Sequence, residues 1–272
     1  MTDDKGLRDR WALILGASSG MGAATALELV RNGMHIFGVH LDLRSTLPNA
    51  QRIVAQIQEL GREAVFFNMN AADAKKRAQI LDAMEDRLRA EKPPATVRVM
   101  LHSLAFGTLR SYVPPDTKQA ASQAQMEMTL DVMAHSLVYW VQDMLYRGLL
   151  GPGSRVYAMT SSGSTRIWPE YGPVGCAKAA LEYHVRHLAV ELASRGIAVN
   201  AIRAGITDTP ALRKIPGNEA MIQRVSAMHP AGRLTVPADV ARALVALCGE
   251  GGAWVSGNVI GVDGAEDIAG GR

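Results

Sequence analysis

Short apolar runs alternate with longer amphipathic stretches along nearly the whole chain. Residues 11–15 form an uninterrupted apolar run of the kind found in buried parallel strands, and residues 23–30 then carry helical periodicity. Residues 35–40 read as a second strand, followed by a helix from about 48 to 60. Strands three and four fall at 64–69 and 97–101, with a charged amphipathic helix over 73–89 that Pro93 and Pro94 close. One long helical region is predicted from 118 to 149, and Gly151, Pro152 and Gly153 turn the chain into a strand at 155–160. A helix reaching to about 194 precedes a sixth strand at 197–202. Residues 205–218 hold two prolines and two glycines and read as a mobile loop, before a helix at 236–248 and a last strand at 258–262. This alternation predicts an α/β fold built on a doubly wound parallel sheet. No repeat, low-complexity tract or linker interrupts it, so 1–272 reads as a single domain with a substrate-loop region at about 205–230.

The first strand runs directly into Gly16, Gly20 and Gly22, spaced GxxxGxG, with Ser18, Ser19 and Met21 between them. Glycines let a backbone approach a pyrophosphate closely, and the following helix offers unpaired N–H groups and the positive end of its dipole. Ser18 and Ser19 add hydroxyl donors. A ligand-free βα turn is the plainer alternative.

A second constellation lies in YGPVGCAK, where six residues separate Tyr171 from Lys178. Seven positions are about two helical turns and return to nearly the same face. Pro173 suits a first helical turn, which puts Tyr171 just before the helix and Lys178 about one turn inside it. A phenol beside an ammonium is a proton donor with its own activating charge.

Bulk properties narrow the classes. A net charge of +3 is too small to argue for nucleic acid, and no apolar stretch approaches membrane-spanning length. The start, MTDDKGLRDR, has no apolar segment of a secretory leader. Cys176 and Cys248 are isolated, which predicts buried thiols in a reducing, cytoplasmic setting and no disulfide.

With the glycine turn, the Tyr–Lys pair and the terminal VDG at 262–264 in order, the chain resembles the short-chain dehydrogenase/reductase superfamily over essentially its whole length. Most of that superfamily has tyrosine four residues before lysine, where this chain has Val174. Tyrosine seven before lysine resembles the enoyl-acyl carrier protein reductase branch. LHSLAF (101–106), TLDVMAHS (129–136), with Met133 in place of the usual structural asparagine, and NAIRAGITDT (200–209) resemble that branch too. The GxxxGxG loop is shared with a smaller group of enoyl reductases. Ser161 stands where many enoyl reductases have a second tyrosine and carbonyl-reducing relatives a catalytic serine.

The resemblance implies a Rossmann-like fold, a homotetramer, and reduction of the C=C bond of a trans-2-enoyl thioester, with acyl carrier protein as a candidate carrier. Tyr171, Lys178 and Ser161 would be catalytic. The alternatives are an NADPH-dependent carbonyl or 3-ketoacyl reductase using Ser161 and Tyr171, and a dinucleotide sensor without turnover. For the cofactor, the resemblance assigns Gly16, Ser18, Ser19, Gly20, Met21, Gly22, His40, Asn70, Ala71, Ser103, Leu104, Lys178, Thr207 and Thr209. Asp42 could bind the ribose of NADH, and Arg44 could pair with the phosphate of NADPH; both could equally be solvated loop charges. The choice between NADPH and NADH leans slightly to NADPH.

Other residues carry less. His184 and His187 lack a third metal ligand in the sequence, and His102 reads as structural. Met126, Met128 and Met133 could line an acyl pocket. Arg213, Lys214 and Arg224 could steer an acidic carrier or form a solvated face.

Overall fold

The computed structural model describes residues 6–269, so the first half of the charged start lies outside it. Among the described residues seven strands form one sheet: β1 (Trp11–Leu15), β2 (His35–His40), β3 (Ala64–Asn68), β4 (Val97–His102), β5 (Arg155–Ser161), β6 (Ala198–Ala204) and β7 (Val259–Val262). Their order is β3-β2-β1-β4-β5-β6-β7, and every pairing is parallel. The predicted doubly wound sheet is thus present. Its order reverses between β1 and β4, and such a reversal opens a crevice beyond the carboxyl ends of the strands.

Parallel strands are covered on both faces, which explains why β1 is continuously apolar. Trp11, Leu13 and Leu15 face a core shared with α3 (Ala74–Arg89), α5 (Ser136–Tyr146) and α6 (Gly172–Leu192). Ala12 and Ile14 point the other way, toward α1 (Gly20–Arg31), α2 (Leu47–Glu59) and α8 (Pro237–Cys248). Trp140 on α5 is fully buried and donates its indole N–H to the Ala71 carbonyl at 2.9 Å, tying that helix to the segment after β3.

Two predicted segments differ from the structure. The region read as one helix over 118–149 is broken into a short 3-10 turn at Thr117–Gln119, α4 (Gln123–Leu130), one π-helical turn at Asp131–His135, and α5. Ser122 and Gln125 cap α4 reciprocally, which starts the helix later than its periodicity suggested. In the π turn the Ser136 hydroxyl donates to the Val132 carbonyl at 2.7 Å, one of the side-chain insertions that deform a helix locally. The second difference is α7 (Asn218–Met228), which begins where the predicted loop ends. None of its residues is fully buried, so it lacks the apolar stripe by which the other helices announce themselves. Cys248 is buried, but Cys176 is exposed on α6, against expectation.

Glycine is sterically required where α1 meets β1. Gly16 has φ +93, and a Cβ there would stand 2.5 Å from the Ser103 carbonyl oxygen. A Cβ on Gly22 would lie 2.0 Å from the Gly16 carbonyl oxygen, which is backbone and cannot swing aside. Gly22→Ala is therefore expected to cost about 1–3 kcal/mol by forcing helix and turn apart. Gly151→Ala, whose added methyl meets nothing, serves as its control. Denaturant midpoints of the two variants check this; equal midpoints would refute the steric account.

Candidate active site

The carboxyl end of β5 and the start of α6 build the centre of the site. Three consecutive strand residues each take hold of α6 or its cap. The Met159 carbonyl accepts from Lys178 Nζ at 2.7 Å, Thr160 Oγ1 donates to Glu182 Oε1 at 2.7 Å, and Ser161 Oγ lies 3.2 Å from the Tyr171 hydroxyl. Tyr171 is the N-cap of α6 with Pro173 in its first turn, as the sequence predicts. Ser161, Tyr171 and Lys178 are thus brought to one place, together with Glu182 and Thr160, which the sequence reading missed. The spacing Lys-x3-Glu on one helix face was the signal available for Glu182.

Burial sets the protonation of this cluster. Lys178 is buried, and desolvation lowers its pKa to about 8, with Glu182 opposing the shift. Desolvation pushes the Tyr171 phenol up, and the Ser161 hydrogen bond offsets part of that. The Tyr171 ring packs beside Leu109, Leu130, Val132, Met133, Val174 and Ala177, an apolar satellite cluster outside the main cores. Thr108 N–H donates to Thr129 Oγ1 at 2.9 Å, so the segment after β4 folds down onto this cluster.

The glycine turn faces the same crevice. Gly16 and Ala17 N–H groups donate to the Val39 carbonyl, which fixes the turn against β2. Ser19 is the N-cap of α1, and its side chain makes no cap hydrogen bond. The end of the helix is therefore not closed by its own side chain, and its first N–H groups, beside the Ser18 and Ser19 hydroxyls, are of the chemistry that would hold a dinucleotide pyrophosphate. Thr209 lies against Gly20, 3.6 Å from where a Cβ would be, and Thr207 Oγ1 donates to the Gly205 carbonyl at 2.9 Å. The Ile206 N–H is held by the Glu266 carboxylate at 2.8 Å, which ties the segment after β6 to the chain after β7. Ser103 N–H donates to the Leu15 carbonyl at 2.9 Å, and the neighbouring Leu104 packs into the core. Ala71 is buried, whereas Asn70 is exposed with its side chain turned to the Ala72 N–H.

Beyond β2, His40 is buried and its Nδ1 lies 2.7 Å from Asp42 Oδ2. The Asp42 backbone exchanges hydrogen bonds with the Asn68 side chain at 2.9 and 3.1 Å. Burial would raise the Asp42 carboxyl, but hydrogen bonds from Thr46, Ser18 and His40 outweigh it and hold it below the usual range. Asp42 is therefore a fixed group beside the glycine turn, while Arg44 is exposed. Arg213 is spent in a two-pronged bond to Asp208 at 2.7 and 2.8 Å, beside a cleft of about 400 Å³ against Thr209 and Pro210. His184 lies 3.0 Å from His135 Nδ1, and His187 pairs with Glu191 at 3.0 Å.

His102, at the end of β4, is wholly buried, with Nε2 2.8 Å from Ser136 Oγ. Because Ser136 gives its proton to Val132, His102 must donate from Nε2. Burial, reinforced by the nearby Lys178 cation, lowers its pKa to about 3. The unfolded chain takes up a proton near pH 6.5 that the fold refuses. Stability from this group is complete above pH 6.5 and declines as pH falls toward 3. Between pH 6.5 and 5 the wild type should lose about 2 kcal/mol more than His102→Gln, as urea titrations at the two pH values would show. Parallel losses in both proteins would refute the buried neutral imidazole.

Comparison with known proteins agrees with this geometry. The family model described as "Enoyl-(Acyl carrier protein) reductase" matches residues 16–265. The trihydroxynaphthalene reductase PfmaI of Pestalotiopsis fici is 26% identical over 271 residues, covering 95% of this chain and 89% of that protein. The 1-cyclohexenylcarbonyl-CoA reductase of Streptomyces collinus is 27% identical over 263 residues, covering 96% and 88%. Among solved structures, the enoyl-[acyl-carrier-protein] reductase (NADH) of Aquifex aeolicus VF5 superposes with a TM-score of 0.83 at 22% identity, covering 98% and 99% of the two chains. The sheet order, the glycine turn and a match over most of the chain's length make this protein an oxidoreductase of the short-chain dehydrogenase/reductase superfamily, a member of the family described as enoyl-(acyl carrier protein) reductase.

Proposed function

We propose that the chain is an NAD(P)H-dependent reductase acting on the C=C bond of trans-2-enoyl thioesters. The observation that carries the reading is the 3.2 Å approach of Ser161 Oγ and Tyr171 OH beside the buried Lys178. The bound cofactor supplies a hydride, which the β-carbon of the enoyl group accepts. Negative charge then collects on the thioester oxygen as an enolate, and a proton taken from solvent at the α-carbon completes the saturated thioester. Tyr171 and Ser161 offer that oxygen two preorganised hydroxyl donors in a partly desolvated setting, where such bonds are strongest. Lys178, held at the same strand end by the Met159 carbonyl, supplies a cation to the site and would hold the ribose hydroxyls of the cofactor. The apolar cluster around Leu130, Met133 and Val174 forms a wall on which an acyl chain can lie.

Carbonyl reduction is the second reading, favoured by a serine rather than a tyrosine at 161 and by the trihydroxynaphthalene reductase among the relatives. There Tyr171 must surrender its proton to an alkoxide. Burial raises the Tyr171 phenol and makes it a poorer acid, while it remains a good hydrogen-bond donor. That balance supports enolate stabilisation over full proton transfer.

For the cofactor, Asp42 now favours NADH, against the lean drawn from the sequence. Its carboxylate, fixed by His40 and Ser18, would accept from ribose hydroxyls and repel a 2′-phosphate, whereas Arg44 is directed to solvent. We also assign residues 205–230 to the substrate side, and a homo-oligomer to the face of α6 that exposes Tyr183 and Val190.

Loss of nicotinamide absorbance with a trans-2-enoyl thioester, and none with a 3-ketoacyl thioester, is the expected result. The reverse pattern would establish the carbonyl reading. Tyr171→Phe should lower kcat by about 10²-fold or more with the enoyl substrate. Asp42→Ala should shift the NADH-to-NADPH ratio of kcat/KM toward NADPH by about tenfold, and an unchanged ratio would remove Asp42 from cofactor selection.

A further inference from the structure

Lys178 and Glu182 stand one turn apart on the same face of α6, both buried, at 6% and 7% exposure. Neither charge is tolerable alone at that depth. Each is held by a different residue of β5: Lys178 by the Met159 carbonyl at 2.7 Å, Glu182 by the Thr160 hydroxyl at 2.7 Å. The Met159 carbonyl is neutral, so it orients the ammonium without balancing its charge. Around Lys178 the other titratable groups do not balance it either. Tyr171, at the head of α6, is a phenol, and His102, from β4, is neutral. Among the described residues, the one carboxylate acting on Lys178 is Glu182.

We propose that Glu182, anchored by Thr160, is the positioning residue that keeps Lys178 cationic at neutral pH, and that the pair is a built-in part of the reductase site. This rests on the proposed reductase reading only for its consequence in turnover; the charge coupling itself belongs to the fold. Glu182, bonded to Thr160 and buried, acts through Lys178. Burial already brings Lys178 down to about 8, so little margin separates it from neutrality under ordinary conditions. Removing the carboxylate leaves burial unopposed, and the ammonium then loses its proton at lower pH. A neutral Lys178 would leave the end of β5 without its cation.

The test is Glu182→Gln, which keeps the shape and an acceptor for Thr160 while removing the charge. Lys178 is titrated directly, by ¹³Cε-lysine NMR on the full-length protein, with its resonance identified by its loss in Lys178→Arg. The midpoint should fall by about one pH unit or more, the size of shift that an adjacent opposite charge produces. In steady-state assays the alkaline limb of kcat/KM should move down by the same amount, while the acid limb stays in place. Glu182→Asp, with its carboxylate withdrawn, should give a smaller shift in the same direction, and it decides the matter if Glu182→Gln does not fold. An identical Lys178 midpoint in wild type and in these variants would overturn the proposal. A wild type that reduces neither thioester would overturn the reductase reading alone, since the NMR midpoint needs no turnover.

Discussion

The grip of β5 on α6 is the constraint on which the rest of the site depends. Residues 159–161 engage Lys178, Glu182 and Tyr171 in turn, through a carbonyl, a hydroxyl and a second hydroxyl. Side chains alternate along a strand, so Thr160 and Ser161 point to different sides. Thr160 reaches down to a buried carboxylate, while Ser161 reaches the phenol at the rim. One short piece of backbone thereby sets the depth of a charge pair and the position of a hydroxyl pair. β5 is paired with β4 as far as Ala158 and with β6 as far as Ser161, so β6 holds its end in place. The same sheet carries the glycine turn at the end of β1, so both halves of the crevice share one frame.

Electrostatics within that frame are arranged by burial more than by numbers of charges. Three ionisable groups lie close together under low exposure, and each resolves the cost differently. Lys178 has a carboxylate on its own helix. His102 gives up its charge altogether, donating from Nε2 to Ser136 while Ser136 donates to the backbone of the π turn. Tyr171 stays a phenol. The π turn at Asp131–His135 is therefore more than an irregularity, since the carbonyl it presents takes the Ser136 proton and so makes Nε2 of His102 the donor, while burial keeps the ring neutral.

Much of this was legible in the sequence, and the limits have physical causes. Continuous apolar runs such as 11–15 announce strands buried on both faces, and strand bounds for β1 and β2 follow from pattern alone. The glycine turn and the Tyr171–Lys178 spacing are local features of one βα junction each, so linear spacing carries them. What escaped is non-local or faintly patterned. The capping at Ser122 and the π turn break a helix without breaking its apolar periodicity. The helix α7 has no fully buried residue and hence no stripe to read. Glu182 was missed because a glutamate four residues from a lysine is usually a surface pair, and only tertiary burial makes it something else. Asp42 was visible as a candidate, but its fixation needed Ser18 and Asn68 from other strand ends.

The substitution of serine for a second tyrosine at 161 bears on how the site divides its labour. A tyrosine there would bring a second bulky ring to the crevice mouth, whereas Ser161 brings a hydroxyl and leaves that volume to the substrate. Enolate and alkoxide oxygens both accept two donors, so the Ser161–Tyr171 pair serves either geometry. The two reactions differ in where the proton goes: an enolate takes it at its α-carbon, where solvent can supply it, while an alkoxide must be protonated on the very oxygen that the two hydroxyls hold. A phenol raised by burial holds well and yields slowly, unless an adjacent cation draws its proton off. In the present arrangement Lys178 directs its ammonium to the Met159 carbonyl. The charge state of that one lysine, set by Glu182, and its orientation, set by the Met159 carbonyl, therefore separate a site that stabilises an oxyanion from one that delivers a proton to it.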